Sequence, residues 1–253
     1  MRVIVTGSAS GIGKASAARL KSQGAHVTGI DIADQDDGPD TYLHCDLSDP
    51  GAIAALPLSD PYDALVNAAG LPPRDGLETR ELAVNFLGLR NLTEAAIPHL
   101  APGAAIVSLA SKAGSQWRAN LEQVNRLIAL ESPDALSEFV TDESIDPVRA
   151  YDLSKEAVIV WTKFQTERLQ SLQLRANTVS PAAVDTPILD DFVRAFGARA
   201  NRGLVLSERA GTAAEIANVV AFLASPDSHW IMGQDIAVDG GLTARLDAEA
   251  LQA

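Results

Sequence analysis

The chain opens on a short apolar run, Arg2–Thr6, which passes straight into Thr6-Gly7-Ser8-Ala9-Ser10-Gly11-Ile12-Gly13 and then into a helical pattern, Ile12–Ser22. A strand that ends in a glycine turn and restarts as a helix has few uses. The glycines permit a tight turn and a close backbone approach, and the helix N-terminus offers unpaired N–H groups and a positive dipole. An anionic pyrophosphate group is the ligand that suits it. The spacing is Gly-x-x-x-Gly-x-Gly rather than Gly-x-Gly-x-x-Gly, and its context of strand before and helix after strengthens the reading.

The rest of the chain repeats this rhythm. Strands are expected at Arg2–Thr6, Ala25–Ile30, Thr41–Cys45, Asp63–Asn67, Ala104–Leu109, Leu174–Val179 and Asp235–Val238. Helices are expected near Ile12–Ser22, Glu78–Pro98, Asp152–Ser171 and Thr212–Ala224. Several strands are apolar throughout, as strands covered on both faces must be. The alternation predicts an α/β fold, a Rossmann-type doubly wound parallel sheet of about seven strands. With 253 residues and 47% hydrophobic content, residues 1–253 are expected to form one large α/β domain. Two segments break the rhythm. Ser115 to Pro147 is longer than a connection needs and carries helical pieces at Asn120–Leu130 and Asp134–Val140. Pro187 to Leu206 presents Ile188, Leu189, Phe192, Val193 and Phe196 at helical spacing, which fits either core packing or a lid over a substrate pocket.

A formal net charge of -13 argues against nucleic acid and anionic membrane surfaces as partners. The single cysteine, Cys45, cannot form an intramolecular disulfide and suits a reducing cytoplasm. The N-terminus lacks the pattern of a signal peptide, and no stretch approaches the ~18 consecutive apolar residues of a membrane helix. His26, His44, His99 and His229 show no metal-ligand spacing, so no metal is expected.

Asp31 ends the second strand. An acidic side chain there accepts hydrogen bonds from adenosine ribose hydroxyls and repels a 2′-phosphate. Ile32-Ala33-Asp34-Gln35-Asp36-Asp37 follows with no Arg or Lys, so NAD is expected over NADP. Tyr151 and Lys155, four residues apart, share one helix face. A tyrosine is a poor base at neutral pH, but a neighbouring ammonium favours the phenolate and suits Tyr151 to proton transfer.

Together these features resemble the short-chain dehydrogenase/reductase family along nearly the whole chain. The resemblance rests on Thr6 to Gly13, Asp31, Asp46-Leu47, Asn67-Ala68-Ala69-Gly70, Asn85 in a Val-Asn-Phe-Leu-Gly run, and Ser111. It continues through Tyr151-x-x-Ser154-Lys155, Ser180-Pro181 to Thr186, and Val238-Asp239-Gly240-Gly241. It implies an NAD-dependent alcohol dehydrogenase. Ser111 would place the reacting oxygen, Tyr151 would be the acid/base, and Lys155 would hold the nicotinamide ribose. Asn85 would anchor a water that relays protons to Lys155. The cofactor would lie against Gly7, Ser10, Gly11, Ile12, Gly13, Asp31, Ile32, Asp46, Leu47, Asn67, Ala68, Ala69, Gly70, Tyr151, Lys155, Pro181, Val184 and Thr186. Two positions depart from the pattern: Ala110 replaces a serine, and Ala182 stands where glycine is usual.

The 40 positions from Ser111 to Tyr151 exceed the family's usual spacing. The enlarged segment, with Glu156–Trp161, Asp185–Val193 and Ser228–Gly233, is similar to the coniferyl-alcohol dehydrogenase subgroup. The 3α-hydroxysteroid dehydrogenase/carbonyl reductase subgroup is the alternative. Both imply an aromatic or polycyclic alcohol, or its carbonyl, as the small-molecule partner. Trp117, Leu121, Leu189, Phe192 and Phe196, with Ser111, are the candidate substrate contacts, although Trp117 equally suits plain packing of the insertion. The resemblance further implies a homo-oligomer, a tetramer or, if the insertion covers one interface, a homodimer. A non-catalytic redox sensor is the rival from another class, and the presence of Asn85, Ser111, Tyr151 and Lys155 argues against it. A hydrolase reading lacks a Gly-x-Ser-x-Gly elbow.

Overall fold

The computed structural model describes residues 1–34, 38–58 and 61–252. Seven strands form one parallel sheet: β1 (Arg2–Thr6), β2 (His26–Asp31), β3 (Thr41–His44), β4 (Tyr62–Asn67), β5 (Leu100–Leu109), β6 (Arg175–Pro181) and β9 (Asp235–Val238). Their order is β3-β2-β1-β4-β5-β6-β9. The order reverses between β1 and β4, and in such sheets ligands bind in the crevice at the carboxyl ends beside that switch. A second pairing joins β7 (Val184–Asp185) to β8 (Gly211–Thr212).

Strand periodicity distributes the core. Val3 and Val5 of β1 face one cluster with Ala17 and Leu20 of α1 (Gly11–Ser22) and Ile216 and Val220 of α11 (Ala213–Ala224). Ile4, between them, faces the opposite cluster with Leu92 and Ala96 of α4 (Leu89–Ala96) and Leu169 of α8 (Thr166–Ser171). This alternation, repeated across the strands, gives a sheet covered on both faces. The short α2 (Pro50–Ala54) lies before β4 and packs against α4.

The third core cluster carries the catalytic candidates. It joins α3 (Glu78–Leu82), α5 (Leu121–Ile128), α6 (Pro133–Asp142) and α7 (Pro147–Phe164). The long segment before Tyr151 is therefore mostly two helices laid on α3 and α7. Glu156, fully buried on α7, accepts hydrogen bonds from Asn120 Nδ2 at 2.6 Å and Arg149 Nη2 at 2.6 Å, which ties the inserted segment to that helix. The sequence placed the start of α7 at Asp152, five residues late. Asp146 caps it by accepting from the Arg149 amide at 2.7 Å, and Pro147 occupies the first turn, where its missing N–H does no harm. The helix also ends at Phe164 rather than running unbroken to Ser171.

The helix expected over Glu78–Pro98 is likewise divided: α3, a π-helical turn over Ala83–Gly88, then α4. Pro187 to Leu206 forms α9 (Leu189–Phe196) and α10 (Ala198–Ser207), broken by Gly197. Two helices among the described residues were not anticipated: the short α2, and α12 (Leu242–Leu251) after β9. No helix among the described residues is long and apolar enough to cross a membrane.

Candidate active site

A cavity of about 780 Å³ opens at the carboxyl ends of the central strands, where the sheet order reverses. At one end it is walled by the glycine turn. Gly7 has φ +66°, and a Cβ there would lie 2.9 Å from Ala69 Cα; a Cβ on Gly13 would lie 2.1 Å from the Gly7 carbonyl oxygen. Neither position accepts a side chain, so the turn folds tightly against Ala68–Ala69 and leaves its backbone facing the cavity. Thr6 Oγ1 accepts from the amides of Ala68 and Ala69 at 2.9 and 3.0 Å and locks the two turns together. Ser10 caps α1 without a side-chain hydrogen bond to it, so first-turn N–H groups stay available. Asp31 Oδ2 accepts from the Ala9 amide and Oδ1 from the Ala33 amide, both at 2.9 Å. These bonds orient the carboxylate at the cavity wall and leave lone pairs for a diol.

The cofactor positions expected from the sequence converge here. Gly7, Ser10, Gly11, Ile12, Gly13, Asp31, Ile32, Asp46, Leu47, Ala68, Ala69, Gly70, Pro181, Val184 and Thr186 all line this cavity. Asn67 does not. It is 2% exposed and donates from Nδ2 to Thr93 Oγ1 at 3.0 Å and Ser108 Oγ at 3.3 Å, bracing β4 against β5 and α4. Of the segment read for NADP exclusion, Gln35–Asp37 lies outside the described residues.

At the other end Ser111, Tyr151 and Lys155 meet. Ser111 follows β5 and Tyr151 lies in the second turn of α7; its hydroxyl is hydrogen-bonded by Ser111, while Lys155 Nζ sits 5.6 Å from the Tyr151 ring centre. Lys155 Nζ donates to the Leu109 carbonyl at 2.9 Å. Asn85 sits in the π-turn, fully buried, and is not part of the cavity wall. Its Oδ1 accepts from the Leu71 amide at 2.7 Å and its Nδ2 donates to the Leu71 carbonyl at 3.0 Å. A Cβ on Gly70 would touch both Asn85 Oδ1, at 3.3 Å, and Lys155 Nζ, at 3.6 Å. Asn85 and Lys155 thus face each other across a glycine-sized space. π-turns of this kind recur at functional sites.

Burial dominates the electrostatics. It pushes the Tyr151 phenol well above its ordinary value, against the pull of the Ser111 hydrogen bond. It brings Lys155 down to about 8, opposed by the charge of Glu81. Glu81 on α3 has no exposed surface and neither carboxylate oxygen has a hydrogen-bond partner; burial raises it to about 8, with Lys155 pulling the other way.

Above Tyr151 lie the two rings expected from the sequence. Phe192 meets it edge-on at 4.9 Å and Phe196 at 6.0 Å, and the two phenylalanines stack 6.1 Å apart at 2°. Three substrate candidates are corrected. Trp117 does not line the cavity: it packs against the α5–α7 cluster with the Arg118 guanidinium 4.2 Å over its ring, so packing of the insertion is its role. Leu189 is not part of the cavity wall, whereas its neighbour Ile188 lines it. Leu121, also considered, is 38% exposed and lies outside the wall. The sequence missed Arg199, Leu206, Leu242 and Leu246, which complete the wall from α10 and α12. The repeated apolar spacing in Leu242–Leu251 was the only available signal for α12.

Residues 1–122 match the family model described as short chain dehydrogenase, and residues 135–243 match the model described as enoyl-(acyl carrier protein) reductase. Coniferyl-alcohol dehydrogenase of a Pseudomonas species is 35% identical over 249 residues, covering 96% of each chain. The chain belongs to the short-chain dehydrogenase/reductase family. Within that family, the 3-alpha-hydroxysteroid dehydrogenase/carbonyl reductase of Comamonas testosteroni is 28% identical and again covers 96% of each chain. Among solved structures, the 3-alpha-hydroxysteroid dehydrogenase of Pseudomonas sp. B-0831, complexed with NADH, superposes with a TM-score of 0.82 at 29% identity. That match covers 98% of this chain and 99% of the other. As a member of this family the chain is an oxidoreductase.

Proposed function

We propose that residues 1–253 act as one catalytic domain that oxidises an alcohol on a bulky aromatic or polycyclic molecule to a carbonyl, or the reverse, with NAD(H) as cofactor. The observation that carries this reading is Tyr151, held between the Ser111 hydroxyl and Lys155 on one side and the Phe192 and Phe196 rings on the other.

The fit of the cofactor rests on the glycine turn, which excludes side chains where a pyrophosphate must approach, and on the oriented carboxylate of Asp31. Bound NAD would supply a hydride-accepting ring. The protein's own work is proton transfer and placement. Ser111 has one hydroxyl proton, which it donates to the Tyr151 oxygen in the free site and to the substrate oxygen once that is bound. Tyr151 takes the hydroxyl proton from the alcohol, or returns it to the carbonyl. Lys155 offsets the negative charge that develops on the phenolate, and Asn85 fixes Leu71 and the polar space beside the ammonium. Phe192 and Phe196 exclude water and offer ring faces to an apolar substrate. The absence of basic residues after Asp31 supports NAD over NADP.

Coniferyl alcohol is the leading substrate, supported by the higher identity to the dehydrogenase that bears its name. A 3α-hydroxysteroid is the second reading, favoured by the structural match. NADH formation at fixed NAD⁺, measured from the two alcohols side by side, separates them. A preference for the steroid would replace the first reading, and silence from both would remove the substrate inference.

We further place the protein in the reducing cytoplasm, on its one buried free thiol, and assign it a homodimer. The α5–α6 pair covers α3 and α7, leaving the β9 edge, with Trp230 88% exposed and Phe164 58% exposed, for self-association.

A further inference from the structure

The paired helices α9 and α10 are pinned over the cavity by ion pairs to three separate elements. Arg74, in the loop after β4, meets Asp191 at 2.7 Å; Arg202 meets Glu249 of α12; and Arg199 Nη1 meets Asp152 Oδ2 at 2.6 Å. The third differs from the others. Asp152 directly follows Tyr151 on α7, and its Oδ1 is buried with no hydrogen-bond partner.

A buried carboxylate beside a catalytic tyrosine works against the chemistry, because its charge opposes phenolate formation. The titratable groups around Asp152 are Arg199 from α10, Glu81 from α3, which keeps its proton to about pH 8, and Arg149 and Glu156 on its own helix. Arg149 Nη2 bonds Glu156, so among the described residues Arg199 is the only cation bonded to Asp152. The Arg199 guanidinium also lies 4.6 Å over the Phe196 ring, which meets Tyr151 edge-on. One side chain therefore neutralises the acid beside Tyr151 and seats an aromatic ring on top of it.

We propose that Arg199 and Asp152 form a clasp through which the α9–α10 lid sets the charge around Tyr151, with Arg199 a positioning residue for the acid/base step. The proposal rests on the reading of Tyr151 given above. With the clasp closed, the Asp152 charge is cancelled and water is excluded together. With Arg199 lost, burial holds Asp152 further above its ordinary value, its charge opposes the phenolate wherever it ionises, and the lid loses its bond to α7.

The test is the pH profile of kcat/KM for alcohol oxidation, together with hydrogen exchange over residues 189–207. Arg199→Gln should move the acid limb upward by about one pH unit and lower kcat/KM below that limb about tenfold. Adding Asp152→Asn should return the limb to or below its original position, because the uncompensated charge is gone. Exchange in the lid should quicken in Arg199→Gln and slow again in the charge-swapped Asp152→Arg/Arg199→Asp protein. An unmoved limb in Arg199→Gln, or one that Asp152→Asn leaves displaced, overturns the clasp. Retained turnover in Tyr151→Phe would instead sink the reading of Tyr151, and the exchange comparison would still decide whether the clasp holds the lid.

Discussion

Tyr151 is placed where burial and reactivity pull against each other. Eight per cent of it is exposed and its phenol is held above its ordinary pKa, so its use as a base depends on Ser111, Lys155 and the local charges. Tyr151→Phe keeps the ring packing against Phe192 and removes only the proton carrier. Its kcat should fall about 10²–10⁴-fold while NADH binding, read by fluorescence titration, stays near that of the parent. Asp31 offers a second check. NAD⁺ should be preferred over NADP⁺ in kcat/KM, and Asp31→Ser should narrow the ratio about tenfold by removing the charge that opposes a 2′-phosphate. An unchanged ratio would remove Asp31 from cofactor choice. These residues were legible in the sequence because their chemistry demands a given residue type at a given spacing on the strand ends and α7. Arg199 and Asp152 were not, since an arginine and an aspartate 47 positions apart show no pattern until the chain brings them to 2.6 Å.

At the scale of elements, the strands were readable because two-sided burial leaves an apolar run between turns, and Asp235–Val238 fell on its expected bounds. The helices carried more surprises. The π-turn at Ala83–Gly88 leaves the apolar spacing of Glu78–Pro98 nearly unchanged, so periodicity passes over it, although it decides where Asn85 points. The start of α7 was written in Asp146-Pro147, a capping pair hidden by the irregular insertion before it. The lid stripe proved to be divided. Phe192 and Phe196 line the cavity, while Leu189, the first residue of α9, does not and Ile188 before it does. Phe192→Ala and Phe196→Ala should each raise KM for a bulky aromatic alcohol several-fold, and should affect a small alcohol far less, as steady-state kinetics would read. Equal effects on both substrates would mean that the rings act only through Tyr151.

For the whole molecule, Glu81 makes stability depend on pH. Its carboxyl holds a proton to about pH 8 in the fold, against an ordinary value of 4.5. The folded state therefore binds more protons than the unfolded chain across that window, and stability falls as pH rises through it. Lys155, lowered to about 8 from 10.5, works oppositely above pH 8, where the unfolded chain binds the extra proton. Thermal melts should show a decline in Tm from pH 5 to 8, flattened in Glu81→Gln; a parallel decline in that variant would acquit Glu81. Light scattering on the intact protein should give a dimer mass, and a monomer or a tetramer would revise the role given to the inserted helices. The last described helix has a separate consequence. Leu242 and Leu246 wall the cavity from α12, a segment outside the sheet that holds none of the proton-transfer candidates. Under the proposed function, this part of the wall can change without touching Ser111, Tyr151 or Lys155, so a library confined to residues 242–251 should shift the preference among alcohols and leave the proton-transfer candidates as inherited.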